Sequence, residues 1–301
     1  MNTIRFDGRV AVITGAGGGL GRAHALLLAS RGATVLVNDL GGSVSGTGGD
    51  TSTAQSVVDE IEAAGGQALA NRDDVATVAG AQSLIDATMD AFGRVDILIN
   101  NAGILRDKTL FKMDPADFEA VVRVHLLGSA WCTRAVMPLM QKQMYGRIVM
   151  TTSAAGLYGN FGQSNYGAAK LGVIGLMNTL KHEAAKFGVL VNAVAPVALT
   201  RMTEGIALGS LMAQATPERV AAGVAFLASE ACQVSGQILS AGGGYFSTVR
   251  MVEGLGVHAP AENASPEFVA AHWAQISDHS GERGFDSASE ALFTIFGSAQ
   301  T

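Results

Sequence analysis

Short runs of β-branched and aliphatic residues alternate along the chain with longer segments whose apolar residues recur every three or four positions. The strand-like runs are Val10 to Thr14, Thr34 to Asn38, Gln67 to Asn71, Val95 to Asn100, Arg147 to Thr152, Leu190 to Ala195 and Gln237 to Ser240. Helix-period segments lie between them, near 19–31, 52–64, 77–92, 115–144, 164–187 and 217–229. This alternation predicts an α/β fold: a single Rossmann-type doubly wound parallel sheet with helices on both faces. In such sheets ligands bind beyond the carboxyl ends of the strands, so the chemistry is expected at those ends.

The rhythm stops near residue 245. Gly254 to Pro266 reads as loop, and the two helical segments after it, Glu267 to Ser277 and Ser287 to Phe296, are too small to bury a core of their own. The expected organisation is one domain over 1–245 and a C-terminal helical extension over 246–301 that packs on the core or on a neighbouring subunit.

Composition narrows the function. Apolar residues are 48% of 301 and charged residues 15%, enough for one large core and against disorder. The formal charge of -6, with no basic cluster, argues against a nucleic-acid surface. Cys132 and Cys232 lie far apart in apolar segments and read as buried thiols, so neither a disulfide nor a metal site is expected. Met1 to Arg9 enters a strand without a signal-peptide pattern, and no apolar run reaches the roughly 18 residues of a membrane span. A cytoplasmic or matrix-like protein without membrane contact is expected.

The first strand ends in Thr14-Gly15-Ala16-Gly17-Gly18-Gly19-Leu20-Gly21-Arg22, directly before a helix. A strand, a glycine turn and a helix N-terminus present free backbone N–H groups and the positive dipole end to a pyrophosphate. Gly15, Gly18, Gly19 and Leu20 are the candidate phosphate contacts. Asp39, closing the second strand, can accept both ribose hydroxyls of the adenosine half and would repel a 2′-phosphate, so NAD is favoured over NADP. A turn or cap role for Asp39 is the alternative. The glycine-rich Gly41 to Asp50 insert is expected to wrap near the adenine. Asp73-Asp74-Val75 and Asn100-Asn101-Ala102-Gly103 end the third and fourth strands at the same edge.

Ser153 closes the fifth strand, and Tyr166-Gly167-Ala168-Ala169-Lys170 opens the next long helix. Residues four apart share a helix face, so Lys170 can approach Tyr166. A free phenol has a pKa near 10, and nearby positive charge from Lys170 is expected to lower it into a useful range for acid–base work. Ser153 would donate to the substrate oxygen where charge accumulates. Tyr-x-x-x-Lys alone is common as surface packing; Ser153 on the preceding strand gives it weight.

Thr14-Gly15-x-x-x-Gly19-x-Gly21, Asn100-Asn101-Ala102-Gly103, Ser153 and Tyr166-x-x-x-Lys170, in this order, resemble the short-chain dehydrogenase/reductase family over about residues 6–245. The resemblance implies an NAD-dependent oxidoreductase interconverting a secondary alcohol and ketone, in a homodimer or homotetramer. It also implies that Asn101, with Ala102 and Gly103, supports the nicotinamide region, that Asp74 and Val75 contact adenine, that Lys170 holds the nicotinamide ribose and that Thr200 reaches the carboxamide. The family often completes a catalytic tetrad with Asn where Val124-His125-Leu126 places His125. His125 is then either a core histidine satisfied by backbone groups or the holder of the water or carbonyl that relays protons from Lys170.

Val37-Asn38-Asp39-Leu40-Gly41-Gly42, Asn101 through Asp107, Arg123-Val124-His125-Leu126, Tyr145 through Met150 and Gly159-Asn160-Phe161-Gly162-Gln163 are similar to one branch in particular. That branch is the (3R)-hydroxyacyl-CoA dehydrogenase unit of peroxisomal multifunctional enzyme type 2, also called 17β-hydroxysteroid dehydrogenase type 4. It implies a bulky acyl-CoA or steroid-like substrate, with Leu157 to Gln163 and a Thr200 to Gln214 lid lining an apolar pocket. Arg106, Lys108 and Arg201 are the available cations for a CoA phosphate, though a solvated surface role suits them better. Another small or cyclic secondary alcohol is the alternative substrate. A non-catalytic NAD-sensing protein is the alternative class, and the intact Ser153, Tyr166 and Lys170 weigh against it.

Overall fold

The computed structural model describes residues 3–200 and 214–297. Strands β1 (Val10–Thr14) and β4 (Ile97–Asn100) are buried at every position, not at alternate ones. Continuous apolar runs of this kind belong to parallel strands covered on both faces. Around them lie β2 (Thr34–Asn38), β3 (Gln67–Asn71), β5 (Gly146–Thr151), β6 (Val189–Val197), β7 (Ile238–Gly242) and β8 (Tyr245–Val249) in one sheet of order β3-β2-β1-β4-β5-β6-β7-β8. The pairs from β3 through β7 are parallel. At the β3 edge the pattern is looser and partly exposed. Strand β8, absent from the sequence expectation, follows β7 through a two-residue turn at Gly243 (φ 60°) and Gly244 (φ 91°). Positive φ at both central positions is what a tight hairpin turn requires.

The crossover helices are α1 (Gly19–Ser30), α2 (Ser52–Ala63), α3 (Val78–Phe92), α4 (Pro115–Val122), α5 (Gly128–Gln143), the short α6 (Ala154–Tyr158), α7 (Ser164–Ala184) and α8 (Pro217–Leu227). The sequence predicts one helix over 115–144, and the chain instead runs α4, a wider π turn at Arg123–Leu127, then α5. The extra residue per turn swings His125 into the interior, and Ser129 Oγ donates to the loosened His125 carbonyl at 2.7 Å. Strands β2 and β4 flank β1 on opposite sides. The chain direction across the sheet reverses there, opening a crevice at the carboxyl ends.

The opposite edge is clamped by charge. Asp96 is fully buried and accepts from Arg9 (2.8 Å), Arg94 (2.7 Å) and the Val10 N–H (3.0 Å). The Tyr145 ring lies between the guanidiniums of Arg9 and Arg147, 3.9 and 4.5 Å from its centroid. Arg147, itself buried, donates to the carbonyls of Ser229 and Gly146. These contacts tie the amino ends of β1, β4 and β5 together, away from the crevice.

Residues divide into two compact units, Met1–Thr248 and Val249–Thr301. Within the second, Glu253 and Arg283 exchange backbone hydrogen bonds of 2.8 and 2.9 Å. Its helices are α9 (Pro266–Ala271), capped by Ser265, α10 (Trp273–Ile276) and α11 (Ala288–Gly297). The predicted helix over 267–277 breaks at His272, whose ring stacks on Phe268 at 3.9 Å. Among the described residues no helix is long and apolar enough to cross a membrane.

Candidate active site

A cavity of about 510 Å³ opens where β1 and β4 part. Gly15, Gly18, Gly19, Leu20, Asp39, Asp74, Val75, Asn101, Ala102, Gly103, His125, Tyr166, Lys170 and Thr200 all line it. Ser153 is not among the lining residues; it acts on Tyr166 of the lining by lowering the pKa of its phenol. The segment 201–213, with Arg201 and most of the expected lid, lies outside the described residues.

The glycine turn is shaped by close approach of backbone. A Cβ at Gly21 would fall 2.2 Å from the Gly15 carbonyl oxygen, and one at Gly15 (φ 63°) 2.7 Å from Ala102 Cα. Helix α1 starts with no side-chain cap and no acidic residue in its first turn. Its first N–H groups are thus open to an anion, which fits a dinucleotide pyrophosphate. Asp39 braces the turn: its carboxylate accepts from the Gly17 N–H (2.9 Å) and the Gly41 N–H (2.7 Å). Arg22 pairs with Glu60, so it is not directed at a phosphate beside Asp39.

Asn101 donates its amide to the carbonyls of Thr14 (3.0 Å) and Gly15 (2.9 Å). Thr14 Oγ1 accepts the backbone N–H groups of Asn101 and Ala102, both at 3.0 Å. The end of β4 and the glycine turn are thereby locked to one another. Thr14 was absent from the sequence candidates, although a hydroxyl closing the first strand beside a glycine turn is a visible signal.

Asp74 Oδ1 accepts the Ala76 N–H at 3.0 Å, closing its own turn against the cavity wall. Gly41 to Asp50 forms a closed loop, with Asp50 N–H bonded to the Gly41 carbonyl (2.8 Å). Its Gly42, Ser43, Val44, Gly46 and Gly48 line the cavity. The loop also reaches the segment after β4, where the Leu105 N–H donates to the Val44 carbonyl at 2.9 Å.

At the other end, Ser153 caps α6, accepting the Ala155 N–H at 3.2 Å. Lys170 is buried, and its Nζ donates to the Thr151 carbonyl at 2.7 Å, 5.5 Å from the Tyr166 ring centroid. Burial brings the Lys170 ammonium down to about 7. Tyr166 departs from expectation. Burial raises its phenol above the ordinary value, the Ser153 hydrogen bond pulls it back, and the Asp107 carboxylate pushes it up again. Desolvation wins because the phenolate is removed from water, and the Ser153 interaction offsets only part of that cost.

His125 is buried, with its Nε2 3.0 Å from the Ile104 nitrogen and 2.8 Å from the Ile104 oxygen. Burial and the nearby Lys170 keep the ring well below its ordinary value, hence neutral. A neutral ring nitrogen either donates or accepts. Nε2 therefore serves the Ile104 carbonyl or the Ile104 N–H, and Nδ1 has no partner among the described residues. Gly103 makes the approach possible: a Cβ there would fall 2.2 Å from His125 Cε1.

Two expectations about the substrate side change. Tyr158 and Phe161 stand 73% and 89% exposed, so the 157–163 segment turns large apolar groups to the surface instead of enclosing them. Arg106 is committed to Asp117 (3.0 Å) and the Ser45 carbonyl (2.9 Å), which removes it from the free cations. Cys132 and Cys232 are buried thiols, and burial pushes Cys132 up to about 12. No cluster of metal-ligating side chains occurs among the described residues.

Comparison with known proteins is consistent with this geometry. The family model for short chain dehydrogenase matches residues 9–208. Peroxisomal multifunctional enzyme type 2 of Drosophila melanogaster is 48% identical over 295 residues, 97% of this chain and 49% of the relative. Its solved structure aligns with a TM-score of 0.84 at 40% identity, over 99% of this chain and 50% of that one. The chain thus spans about half the length of that relative. A putative short-chain type dehydrogenase/reductase of Mycobacterium tuberculosis is 48% identical over 275 residues, covering 91% of this chain and 96% of its own. A 7α-hydroxysteroid dehydrogenase complexed with NADH and 7-oxo glycochenodeoxycholic acid aligns with a TM-score of 0.72 at 33% identity, over 80% and 95% of the two chains. The fold, the nucleotide crevice and these relatives together place the chain in the short-chain dehydrogenase family, as an oxidoreductase acting on CH–OH groups.

Proposed function

We propose that this enzyme uses NAD to interconvert a bulky apolar secondary alcohol and its ketone, of (3R)-hydroxyacyl-CoA or hydroxysteroid type. The observation that carries the reading is buried Lys170, whose Nζ is held by the Thr151 carbonyl 5.5 Å from the Tyr166 ring centroid, in the cavity that also holds the glycine turn. Bound NAD supplies the hydride acceptor. Tyr166 takes the alcohol proton on oxidation and returns it on reduction. Ser153 donates to the substrate oxygen as negative charge builds there. Lys170, held by the Thr151 carbonyl 5.5 Å from the Tyr166 ring centroid, brings positive charge beside the phenolate as it forms and would hold the nicotinamide ribose.

NAD is favoured over NADP by Asp39, whose carboxylate is fixed by two backbone N–H groups at the cavity wall and would meet a 2′-phosphate with like charge. The acyl-CoA or steroid class rests on the sequence resemblance and on the hydroxysteroid dehydrogenase relative. The resemblance also favours a homodimer or homotetramer. The cytoplasmic placement expected from the N-terminus stands beside relatives whose names are peroxisomal.

The test is NADH absorbance with (3R)-hydroxyacyl-CoAs, 17β-hydroxysteroids and simple secondary alcohols. The two bulky classes should turn over well ahead of the simple alcohols. Tyr166→Phe should abolish turnover, by about 10³-fold or more, while NADH still binds. Turnover surviving that change would remove Tyr166 from the mechanism.

A further inference from the structure

Five consecutive residues after β4, Ile104 to Lys108, bond to three separate segments of the chain. Ile104 meets His125 Nε2 through its backbone. Leu105 donates its N–H to the Val44 carbonyl, and the Arg106 Nε donates to the Ser45 carbonyl. Asp107 accepts from Gln163 Nε2 at 2.7 Å, and the Lys108 N–H donates to the Gly162 carbonyl at 2.8 Å. One connector thus touches the 41–50 loop on one side and the start of α7, which carries Tyr166, on the other.

Arg106 is the residue where the two sides meet. Its guanidinium holds the tip of the 41–50 loop and Asp117 of α4, while its carbonyl accepts from Asn165 Nδ2 at 3.0 Å. Asn165 is fully buried, and its Oδ1 accepts the Tyr166 N–H at 2.7 Å. The 41–50 loop closes on itself at Gly41 and Asp50, so its tip is held from outside mainly by Leu105 and Arg106. Asn165 does not itself line the cavity, whereas Arg106, Val44 and Tyr166 do.

We propose that Arg106, with Asn165, is a positioning pair that couples closure of the 41–50 loop over the dinucleotide to the orientation of Tyr166. The proposal rests on the NAD reading above and adds to it a route between cofactor and acid–base group. Closing the loop fixes the guanidinium, the fixed main chain at 106 fixes the Asn165 amide, and Asn165 fixes the backbone of Tyr166. The arrangement makes the first turn of α7 sensitive to whether a nucleotide lies beneath the loop.

The experiment needs NADH and the full chain, and no substrate. NADH dissociation is followed by stopped-flow fluorescence, and backbone protection by hydrogen exchange with and without NADH. In the wild type, NADH should protect 15–22, 41–50 and 160–168 together. Arg106→Ala should speed NADH release by about tenfold, and protection at 160–168 should be lost while that at 15–22 is kept. Asn165→Ala should speed release by a similar factor although its side chain is outside the cavity lining. The double variant should release NADH no faster than the faster single variant.

Asp117→Asn, at a carboxylate 35% exposed, loosens the outer anchor of Arg106 without disturbing buried groups, and it should give a smaller acceleration with unchanged thermal stability. Multiplicative effects in the double variant, or no effect of Asn165→Ala and Asp117→Asn on release, would overturn the coupling. NADH failing to bind the wild type would instead overturn the cofactor reading on which it stands.

Discussion

His125 meets Tyr166 edge to face, with ring centroids 5.1 Å apart and planes at 89°. The imidazole is therefore packed against the proposed acid–base group as well as hydrogen-bonded to Ile104. Its position depends on the missing side chain at Gly103, so Gly103→Ala should drive the ring away from Ile104 and Tyr166. The expected cost is about 1–3 kcal/mol of stability and a fall in kcat of roughly tenfold to a hundredfold. Thermal denaturation and steady-state rates measure both.

His125→Asn tests what the imidazole supplies. An amide carries a donor and an acceptor together, so it can serve the Ile104 N–H and carbonyl at once where Nε2 serves one. The Asn variant should fold with stability close to that of the parent. His125→Leu leaves both Ile104 groups unpaired in a buried place and should lose about 2–3 kcal/mol. Urea unfolding distinguishes the two, and an Asn variant as damaged as the Leu variant would show that packing against Tyr166 matters more than the hydrogen bonds.

Asp39→Ala removes the acceptor shared by the Gly17 and Gly41 N–H groups and the charge that would oppose a 2′-phosphate. The ratio of kcat/KM for NADP over NAD should rise by at least about tenfold, equivalent to about 1.4 kcal/mol. A ratio that stays at its parent value would take Asp39 out of cofactor selection.

Asp96→Asn strips the buried carboxylate that serves Arg9 and Arg94. It should cost about 1–3 kcal/mol in urea unfolding, because Arg9, Arg94 and the Val10 N–H lose a charged acceptor, while Arg9 keeps Glu230 and both guanidiniums reach solvent. The cluster ties the amino ends of the strands, so kcat/KM for the folded variant should stay within about twofold. A large loss of activity in a folded variant would mean that this clamp sets the geometry of the far edge.

His24, on α1, is fully buried with neither ring nitrogen partnered among the described residues, and burial holds its pKa down to about 3. The unfolded chain binds a proton near 6.5 that the folded chain refuses, so the stability tied to His24 is complete above 6.5 and declines as pH falls towards 3. The slope is about 1.4 kcal/mol per pH unit. His125, also held neutral by burial, adds in the same direction. His24→Leu should therefore flatten part of the acid loss in urea midpoints between pH 7 and 4.5, and an unchanged slope would remove His24 from the acid response.

The doubly wound sheet was readable because β1 and β4 are unbroken apolar runs and the segments between them keep helical period, a local property of composition. The break in the 115–144 helix was not. Nothing in Arg123 to Leu127 is a helix breaker, and the π turn exists because His125 finds the Ile104 backbone from there. Strand β8 exists through its pairing beside β7 across the Gly243–Gly244 turn, and α6, little more than one turn capped by Ser153, is too short to show a helical period. The bend at His272 follows its stacking on Phe268, which no periodicity records.

The sequence by itself determined the fold class and the family, because each rests on short-range order: strand, glycine turn, helix start, and Tyr166 four residues before Lys170. Only the tertiary structure decided how the side chains at the crevice are charged and held. Desolvation brings Lys170 to about 7 and raises Tyr166, and the partner groups of Arg106, Asn165 and His125 come from segments far away in the chain. Burial and long-range hydrogen bonding belong to the packed chain, and no local pattern carries them.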